Sequence, residues 1–538
     1  MKITSKPFSE LPFSTLFKDY INQKSDITDF FDISPFSSDN LKRKAEQFSF
    51  SSDRDKVSDL LKQFNSQFEP SNETLANIEK LRDTSTLAVV TGQQMVLYGG
   101  PLFTVFKTLT AIQLSKQYEK ELNRPVVPVF WLADEDHDIE EISQINLFNK
   151  HDVSKCSVSF DKPGKRVDEY LLKEIHSELR TCVKDGLIET DFSDDLWKIL
   201  DSSYHKNHTV GKAFGLLLQK LFGKHGLILA GSNDDNFKDL SKSILTQSVS
   251  KADDIVDRLR ENTKKLESIG YEGQVHLNNS NLFYIADNGQ RVKIEYDGEI
   301  WFIENSDKRW SAKELNRDID HNPNRFSPNV FLRPVLQDKL LPTISYVAGP
   351  GEIAYYAQMS GIYDYFDQTM PQIVPRFSGT FIESSIERII DKLPFSLEDY
   401  SKRIEDLESE FIEKSDQPDL EKIFDDWKQR VEAITSEKKS AIEEIDPTLK
   451  NTAGKASSIY YSELDKLKGK LYRSLKQNEK TQLDRIIKIQ LNLFPNGNLQ
   501  EREIAFIYYL NKYGTETFDE LLKLLENQKS DTHKLIYL

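Results

Sequence analysis

A short apolar segment, Val126–Leu132, runs directly into a dense group of acids around one histidine. Six carboxylates stand at positions 134, 135, 136, 138, 140 and 141. Carboxylates this close repel one another, so they call for a cation, a basic partner or open solvent. His137 lies between Asp136 and Asp138, and the sequence predicts a general acid or base whose pKa these carboxylates raise.

The acidic segment has several chemical interpretations. It could bind an ammonium group or a ribose, and its oxygens would be natural ligands for Mg²⁺. A zinc site is excluded because no second histidine or cysteine has ligand spacing, and we assign no metal ligand. A charged loop that simply opens the next helix explains the same residues, since acids favour helix N-termini.

A glycine-rich segment follows an earlier apolar run at Leu87–Val90. Its candidate ligand-binding residues are Gly92, Gln93, Gln94, Gly100, Pro101, Thr104 and Lys107. Glycines let backbone amides approach a ligand, and a helix whose first residue is Pro101 offers free N–H groups to an anion. A phosphate or carboxylate suits such a pocket, although the spacing is neither Walker A nor G-x-G-x-x-G. An unliganded turn is the alternative.

Two further segments contain charged residues in apolar surroundings. Arg333 lies in the proline-flanked stretch 327–338, where a buried guanidinium needs a carboxylate or phosphate; a structural ion pair would equally account for it. Glu352 follows Gly349 and Gly351 where a strand gives way to a helix, and it could hold an amine. The alternative is an ordinary strand-to-helix turn.

No G-x-S-x-G elbow occurs, so a serine-triad hydrolase is a poor interpretation.

The order of elements predicts an α/β fold. Short apolar runs at 87–90, 126–132, 227–230 and 344–348 alternate with segments of helical periodicity. Such alternation is typical of a Rossmann-like, doubly wound parallel sheet. We predict this core over residues 1–380, interrupted at about 150–205 and 270–330. The second interruption is predicted to form antiparallel hairpins, with turns at 287–289 and 297–298.

The pattern changes after residue 380. Leu397, Ile404 and Phe411 repeat every seven residues, and charges fill the gaps. Residues 381–490 are therefore predicted to form an α-helical coiled coil or long hairpin, broken at 416–418 and 446–447. Residues 491–538 return to mixed composition and are predicted to pack back on the core.

Composition narrows the class of protein. The net charge of −16 and the absence of a basic run argue against a nucleic-acid partner. No apolar run approaches the ~20 residues of a membrane helix, and the N-terminus lacks a signal-peptide core. Cys156 and Cys182 are the only cysteines, which excludes a disulfide scaffold and favours a reducing, cytoplasmic location.

Taken together, these motifs resemble the bacillithiol biosynthesis cysteine-adding enzymes, a family of cysteine ligases. The resemblance is carried by Gly92–Lys107, by Pro128–Glu141, by Ser327–Pro334, by Gly349–Tyr355 with Pro375–Arg376, and by Leu499–Arg502. These segments occur in order over residues ~90 to ~502. The resemblance adds Trp131, Glu135, Glu141, Tyr355 and Arg376 to the candidate binding residues.

The resemblance implies a Rossmann-like core with two connecting-peptide insertions, as in class I aminoacyl-tRNA synthetases, and a homodimer formed through the coiled coil. It also implies addition of L-cysteine to glucosaminyl malate, the last step of bacillithiol synthesis. Amide formation in water requires an activated carboxylate, so ATP or ADP is the expected nucleotide, with Mg²⁺ as its companion. The chain lacks the short histidine- and lysine-rich signatures of class I synthetases, so an acyl-adenylate and an acyl-phosphate both remain open.

The predicted roles follow from this chemistry. The Gly92–Lys107 segment would cradle phosphate, and Asp136, His137 and Asp138 would face the amine or the ribose. Arg333 would hold a carboxylate of malate or cysteine, and Glu352 an ammonium. Two alternatives remain: a nucleotide-binding scaffold that dimerises through its coil, and a synthetase-like enzyme that joins another acid and amine.

Overall fold

The computed structural model describes residues 1–149, 152–161, 164–414 and 420–538. By their contacts these form two compact units, residues 1–381 with 499–538, and residues 382–498. The strands are β1 (Lys2–Pro7), β2 (Leu87–Gln93), β3 (Val126–Leu132), β4 (Gln144–Phe148), β5 (Val153–Ser157), β6 (Ile228–Ala230), β7 (Leu282–Ile285), β8 (Arg291–Lys293), β9 (Glu295–Tyr296), β10 (Trp301–Phe302), β11 (Arg309–Trp310), β12 (Phe326–Pro328), β13 (Thr343–Ala348), β14 (Gln372–Pro375), β15 (Ser378–Ile382) and β16 (Thr532–Tyr537).

The helices of the first unit precede, connect and follow the strands of its central sheet. They are α1 (Thr15–Ile21), α2 (Ser25–Thr28), α3 (Ser38–Gln47), α4 (Arg54–Ser66), α5 (Asn72–Lys80), α6 (Leu102–Leu122), α7 (Ile139–Ile142), α8 (His176–Gly186), α9 (Ser193–Ser203), α10 (Val210–Phe222), α11 (Asp235–Ser250), α12 (Ala252–Ser268), α13 (Ala312–His321), α14 (Leu332–Leu340) and α15 (Pro350–Gln358). The second unit contains α16 (Ser384–Ile390), α17 (Ile404–Lys414), α18 (Leu420–Ile445), α19 (Lys450–Asn478) and α20 (Lys480–Leu493). The chain then returns to the first unit with α21 (Gln500–Glu503), α22 (Ile507–Tyr513) and α23 (Thr517–Leu525).

The central sheet confirms the predicted Rossmann-like core. Its strand order is β14-β13-β2-β3-β6, and each neighbouring pair is parallel. Both β2 and β3 are buried almost throughout, as apolar strands covered by helices on both faces should be. In chain order the strands run outward from β2 to one edge and then from β13 to the other. The strand order therefore reverses between β2 and β13, where doubly wound folds place their ligands.

Antiparallel strands occupy both predicted interruptions of the core. In the first, β4 pairs with β5, and α8 and α9 follow. In the second, the hairpin β7–β8 turns at Gly289 and β9–β10 turns at Gly298, as predicted; both glycines have a positive φ. The structure joins Cys156 and Cys182 in a disulfide with Cα atoms 5.8 Å apart, which differs from the free thiols expected from the sequence.

The two chain ends of the first unit form a sheet that the sequence did not suggest. The strand β1 near the N-terminus pairs antiparallel with β16 near the C-terminus, from Lys2 opposite Tyr537 to Pro7 opposite Thr532. The strand β15 completes this sheet in the order β1-β16-β15. Residues 499–538 therefore share one compact unit with the parallel core.

The second unit is helical and confirms the predicted coiled coil. Its longest helices, α18 and α19, pack against each other along a hairpin. The break predicted at Asp446–Pro447 falls between these two helices, while the break predicted at 416–418 lies outside the described residues. No described helix combines the length and apolar character needed to span a bilayer.

Candidate functional site

A cavity of about 640 Å³ opens at the carboxyl ends of the parallel strands. Residues that end or follow β2, β3, β6, β13 and β14 all contribute to its wall. The second interruption of the core, residues 274–293 and 328–330, supplies another side. The cavity therefore spans the point where the strand order reverses, as expected for a ligand site in this fold.

Most of the residues predicted from sequence line this one cavity. They are Gly92, Gln93, Gln94, Lys107, Trp131, Glu135, Asp136, Glu141, Arg333, Gly349, Gly351, Glu352, Tyr355 and Arg376. They come from five separate segments of the chain, and four of these segments end or follow parallel strands that bring them to one edge of the sheet. The structure does not place Gly100, Pro101, Thr104, His137 or Asp138 along the wall of this cavity.

The start of α6 is closed to a ligand. Pro101 immediately precedes this helix rather than forming its first residue, and it pairs with Ala505. The amide of Leu102 donates to the carbonyl of Ile504, and Thr104 is fully buried. The free amides predicted to bind an anion at this helix end are thus covered by the chain between α21 and α22.

Lys107 forms an ion pair inside the cavity wall. Its Nζ contacts Glu352 Oε2 and also donates to the Gly92 carbonyl at 2.7 Å and to Gln93 Oε1 at 3.1 Å. An ammonium has three N–H groups, so these partners use all of them. Burial raises the pKa of Glu352, but Lys107 more than offsets this, and the carboxylate is held in its charged form.

The turn before α15 lines the cavity and is held by Glu352. Glu352 Oε2 accepts from the Gly349 amide at 2.7 Å, and Tyr346 donates to Glu352 Oε1 at 2.7 Å. Gly349, Pro350 and Gly351 line the cavity at the N-terminus of this helix. Here the helix dipole and the first amides of the helix favour an anion.

The acidic segment divides into paired and unpaired carboxylates. Glu135 contacts the buried ammonium of Lys238, and Asp134 accepts from the amides of Ser232 and Asn233, each at 3.1 Å. Asp136 accepts from Gln94 Nε2 at 2.7 Å and lies at the cavity wall. Glu141 also lines the cavity, and burial raises its pKa. Neither Asp136 nor Glu141 pairs with a lysine or arginine within the part of the chain that is described.

His137 and Asp138 do not line the cavity, and both have partners within the protein. Burial and the neighbouring guanidinium of Arg291 lower the pKa of His137, so the predicted increase has the wrong direction. Arg291 Nη1 lies 3.0 Å from His137 Nδ1; because a guanidinium only donates, Nδ1 must accept and the proton sits on Nε2. Asp138 is exposed and accepts from the Glu141 amide at the start of α7, the helix-opening role that charged loops commonly have.

The two predicted arginines differ in their partners. Arg376 forms two hydrogen bonds with the fully buried carboxylate of Glu501, at 2.7 and 3.0 Å, so its charge is already balanced. Arg333 donates to Tyr355 Oη at 2.9 Å and to Gln337 Oε1 at 3.3 Å. Its described partners are neutral, which leaves the Arg333 charge available to a ligand.

Sequence reasoning missed the wall that the second interruption contributes. It includes His276, Asn278, Phe283, Arg291 and Lys293. Only the three-dimensional path of the β7–β8 hairpin brings these residues to the cavity, and no local motif marks them. Glu501 could have been suspected, because the sequence shows it within the resembling segment Leu499–Arg502.

A resident metal ion has little support in this site. No group of three or more His, Cys, Asp or Glu side chains in the described ranges is arranged to hold one. Asp134 and Glu135 already accept from amides and from Lys238, as described above.

Comparison with known proteins identifies the family. Residues 1–377 match the model of the bacillithiol biosynthesis BshC N-terminal Rossmann-like domain, and residues 379–538 match that of the BshC C-terminal coiled-coil domain. A Salinibacter ruber protein named "Putative cysteine ligase BshC" is 32% identical over 97% of this chain and 96% of its own length. Proteins with the same name from Chlorobaculum tepidum and Bacillus licheniformis are 33% and 32% identical; they cover 90% and 97% of this chain, and 89% and 97% of their own lengths. The chain therefore belongs to the bacillithiol biosynthesis BshC family.

Proposed function

We propose that this member of the BshC family is a ligase that joins L-cysteine to glucosaminyl malate, the last step of bacillithiol biosynthesis. The observation that carries the proposal is the distribution of charge in the cavity. Asp136 and Glu141 supply unpaired negative charge on one side, while Arg333 supplies positive charge without a carboxylate partner. Substrates that carry both amino and carboxylate groups match such a cavity.

The carboxylates would act on the amine of glucosaminyl malate. Asp136 and Glu141 would hold the ammonium, and loss of its proton to a carboxylate would free the nitrogen lone pair. The amine would then attack the carbonyl of the activated cysteine, and the bond from this carbonyl to the activating phosphate oxygen would break, with release of AMP or phosphate. Burial raises the pKa of Glu141, which makes its carboxylate a stronger base than an exposed one. Glu352 is less suited to the ammonium role predicted for it, because Lys107 already neutralises it.

The cysteine carboxylate must be activated before it can form an amide in water. We propose that ATP supplies this activation, through an acyl-adenylate or an acyl-phosphate, with Mg²⁺ accompanying the nucleotide. The phosphate would lie at the turn Gly349–Glu352, where the start of α15 faces the cavity, rather than at Pro101. Arg333 would hold a carboxylate of cysteine or malate from the same side.

The proposal is tested by incubating the purified protein with L-cysteine, glucosaminyl malate and ATP and measuring bacillithiol by mass spectrometry. We expect amide formation that depends on all three compounds. In Asp136→Asn we expect kcat/KM to fall at least about 100-fold, because the amine loses its charged partner. Asp138→Asn should stay within about threefold of the wild type, because Asp138 is exposed at a helix start.

The outcomes separate the alternatives. If the protein binds nucleotide but forms no product when all three compounds are present, the ligase proposal is contradicted and the nucleotide-binding scaffold is favoured. Product from a different amine, with glucosaminyl malate inert, would favour a synthetase-like enzyme of other specificity. If kcat/KM falls equally in Asp136→Asn and Asp138→Asn, the catalytic role belongs to the acidic segment as a whole and not to Asp136 in particular.

A further inference from the structure

Arg291 is a cation for which the ligase proposal gives no role. It begins β8, lines the cavity and is partly buried. Its guanidinium stacks on Phe283, with the central carbon 3.7 Å from the ring centroid. This stacking fixes the plane of the guanidinium and leaves its edges for hydrogen bonds.

The hydrogen bonds of Arg291 go to neutral groups. Nε donates to Ser327 Oγ at 2.9 Å, Nη2 to the Pro328 carbonyl at 2.8 Å, and Nη1 to the ring of His137 at 3.0 Å. These contacts use three of the five N–H groups of a guanidinium, which leaves two. No carboxylate forms a salt bridge with Arg291 in the described portion of the chain.

Three other basic side chains of the cavity wall already have carboxylate partners. Lys107 is paired with Glu352, Arg376 with Glu501, and Lys293 with Glu295 at 2.6 Å. A guanidinium that is rigidly held, lines a cavity and forms no salt bridge with a described carboxylate is suited to bind a carboxylate of a ligand. Its planar fork matches the two oxygens of a carboxylate.

We propose that Arg291 binds the malate carboxylates of the second substrate and selects glucosaminyl malate over amino sugars that lack malate. This inference rests on the proposed ligase function. In glucosaminyl malate the malate is attached to the sugar carbon next to the one that carries the amine. The binding groups should therefore be neighbours. Arg291 contacts His137, and Nδ1 of this histidine lies 3.7 Å from Asp136 Oδ1.

The assignment also gives Arg291 and Arg333 different roles. Arg333 lies beside Tyr355 of α15, on the side where activation of cysteine is proposed. Arg291 lies beside His137 of the acidic segment, next to Asp136, where the amine is proposed to bind. The carboxylate to be activated and the malate carboxylates are then held by different cations, which keeps malate away from the activating site.

The test measures binding and kinetics in Arg291→Gln, Arg291→Lys and the control Arg309→Gln. Arg309 lies in the same interruption of the core but is exposed and outside the cavity. By calorimetry we expect Arg291→Gln to weaken the binding of glucosaminyl malate at least about tenfold. The affinity for glucosamine should not change. In the kinetic assay KM for glucosaminyl malate should rise and KM for cysteine should not. Arg291→Lys should be intermediate because it keeps the charge but loses the fork.

Several results would overturn the subsite. The first is that Arg291→Gln binds glucosaminyl malate as tightly as the wild type does. The second is that Arg291→Gln loses as much affinity for glucosamine as for glucosaminyl malate. The third is that the wild type binds neither malate nor glucosaminyl malate. Binding of inorganic phosphate through Arg291 in place of malate would also overturn it. The two proposals fail separately. Malate binding that depends on Arg291, without any amide product, would contradict the ligase proposal alone. Amide formation with an unchanged KM for glucosaminyl malate in Arg291→Gln would contradict the malate subsite alone.

Discussion

At the scale of single residues, the sequence identified charged groups more reliably than it identified their partners. Lys107, Glu352 and Arg376 were predicted to meet ligands, and all three line the cavity. All three, however, pair with protein charges from distant parts of the chain. Lys107 pairs with Glu352, and Arg376 pairs with Glu501. Such pairs depend on which strands become neighbours, and residue type and local spacing do not contain that information.

The buried pair Lys107–Glu352 leads to a prediction about stability. Lys107 is 4% exposed, so Glu352→Gln would leave its ammonium without a carboxylate in a dry environment. We expect the free energy of unfolding to fall by about 3 kcal/mol, since breaking a buried pair from one side leaves an uncompensated charge. Adding Lys107→Met should recover much of this loss. Urea denaturation of both single variants and the double variant measures the coupling.

A surface pair provides the control. Lys198 and Asp195 form an exposed ion pair in α9, and Asp195→Asn should leave the denaturation midpoint unchanged. If Glu352→Gln behaves like Asp195→Asn, the cavity is wet enough to solvate Lys107. The lysine would then be free to meet a phosphate, as the sequence alone had suggested.

At the scale of elements, apolar runs predicted the central strands well and the chain ends poorly. The run 126–132 is β3 to the residue, because a fully buried strand is continuous in its apolar character. The strands β1 and β16 were not foreseen, since they are partly polar and gain their stability from pairing across the whole chain. The hairpins of the second interruption were predicted from their glycine turns, but the cavity wall that they form was not.

The turn between β2 and α6 gives a prediction at this scale. Gly99 has φ +82°, and a Cβ placed there would lie 2.2 Å from the ring of Phe506. Gly99→Ala therefore meets both a strained backbone and a clash with a buried aromatic side chain. We expect it to lower the free energy of unfolding by roughly 3 kcal/mol or more, with a matching fall of the melting temperature in calorimetry.

Gly454 is the matched glycine for this experiment. It lies inside α19, and a Cβ there would have no neighbour within 4 Å. Gly454→Ala should stabilise the helix by up to about 1 kcal/mol, because alanine has the higher helix propensity. Equal effects of the two substitutions would show that the turn at Gly99 relaxes without cost.

At the scale of the whole molecule, the helical unit leaves much of its heptad pattern uncovered. Phe424 and Leu464 are buried between the helices of the α18–α19 hairpin. In contrast, Ile434 is 59% exposed and Ile459 is 67% exposed, and other apolar side chains of the same helices are also open: Trp427, Tyr460, Leu467 and Leu471. A hairpin that buries only part of its apolar repeat is expected to bury the rest against another chain.

We propose that the uncovered residues join two copies of this chain, and the prediction is tested by sedimentation velocity. The wild type should sediment as a species of twice 62.2 kDa at micromolar concentration. Ile434→Lys combined with Ile459→Lys should give the monomer, because each change places a charge where apolar contact is required. Glu432→Lys, an exposed position of the same helix, should remain dimeric. A monomeric wild type would contradict the proposal, and a dimer that survives the double substitution would place the interface elsewhere.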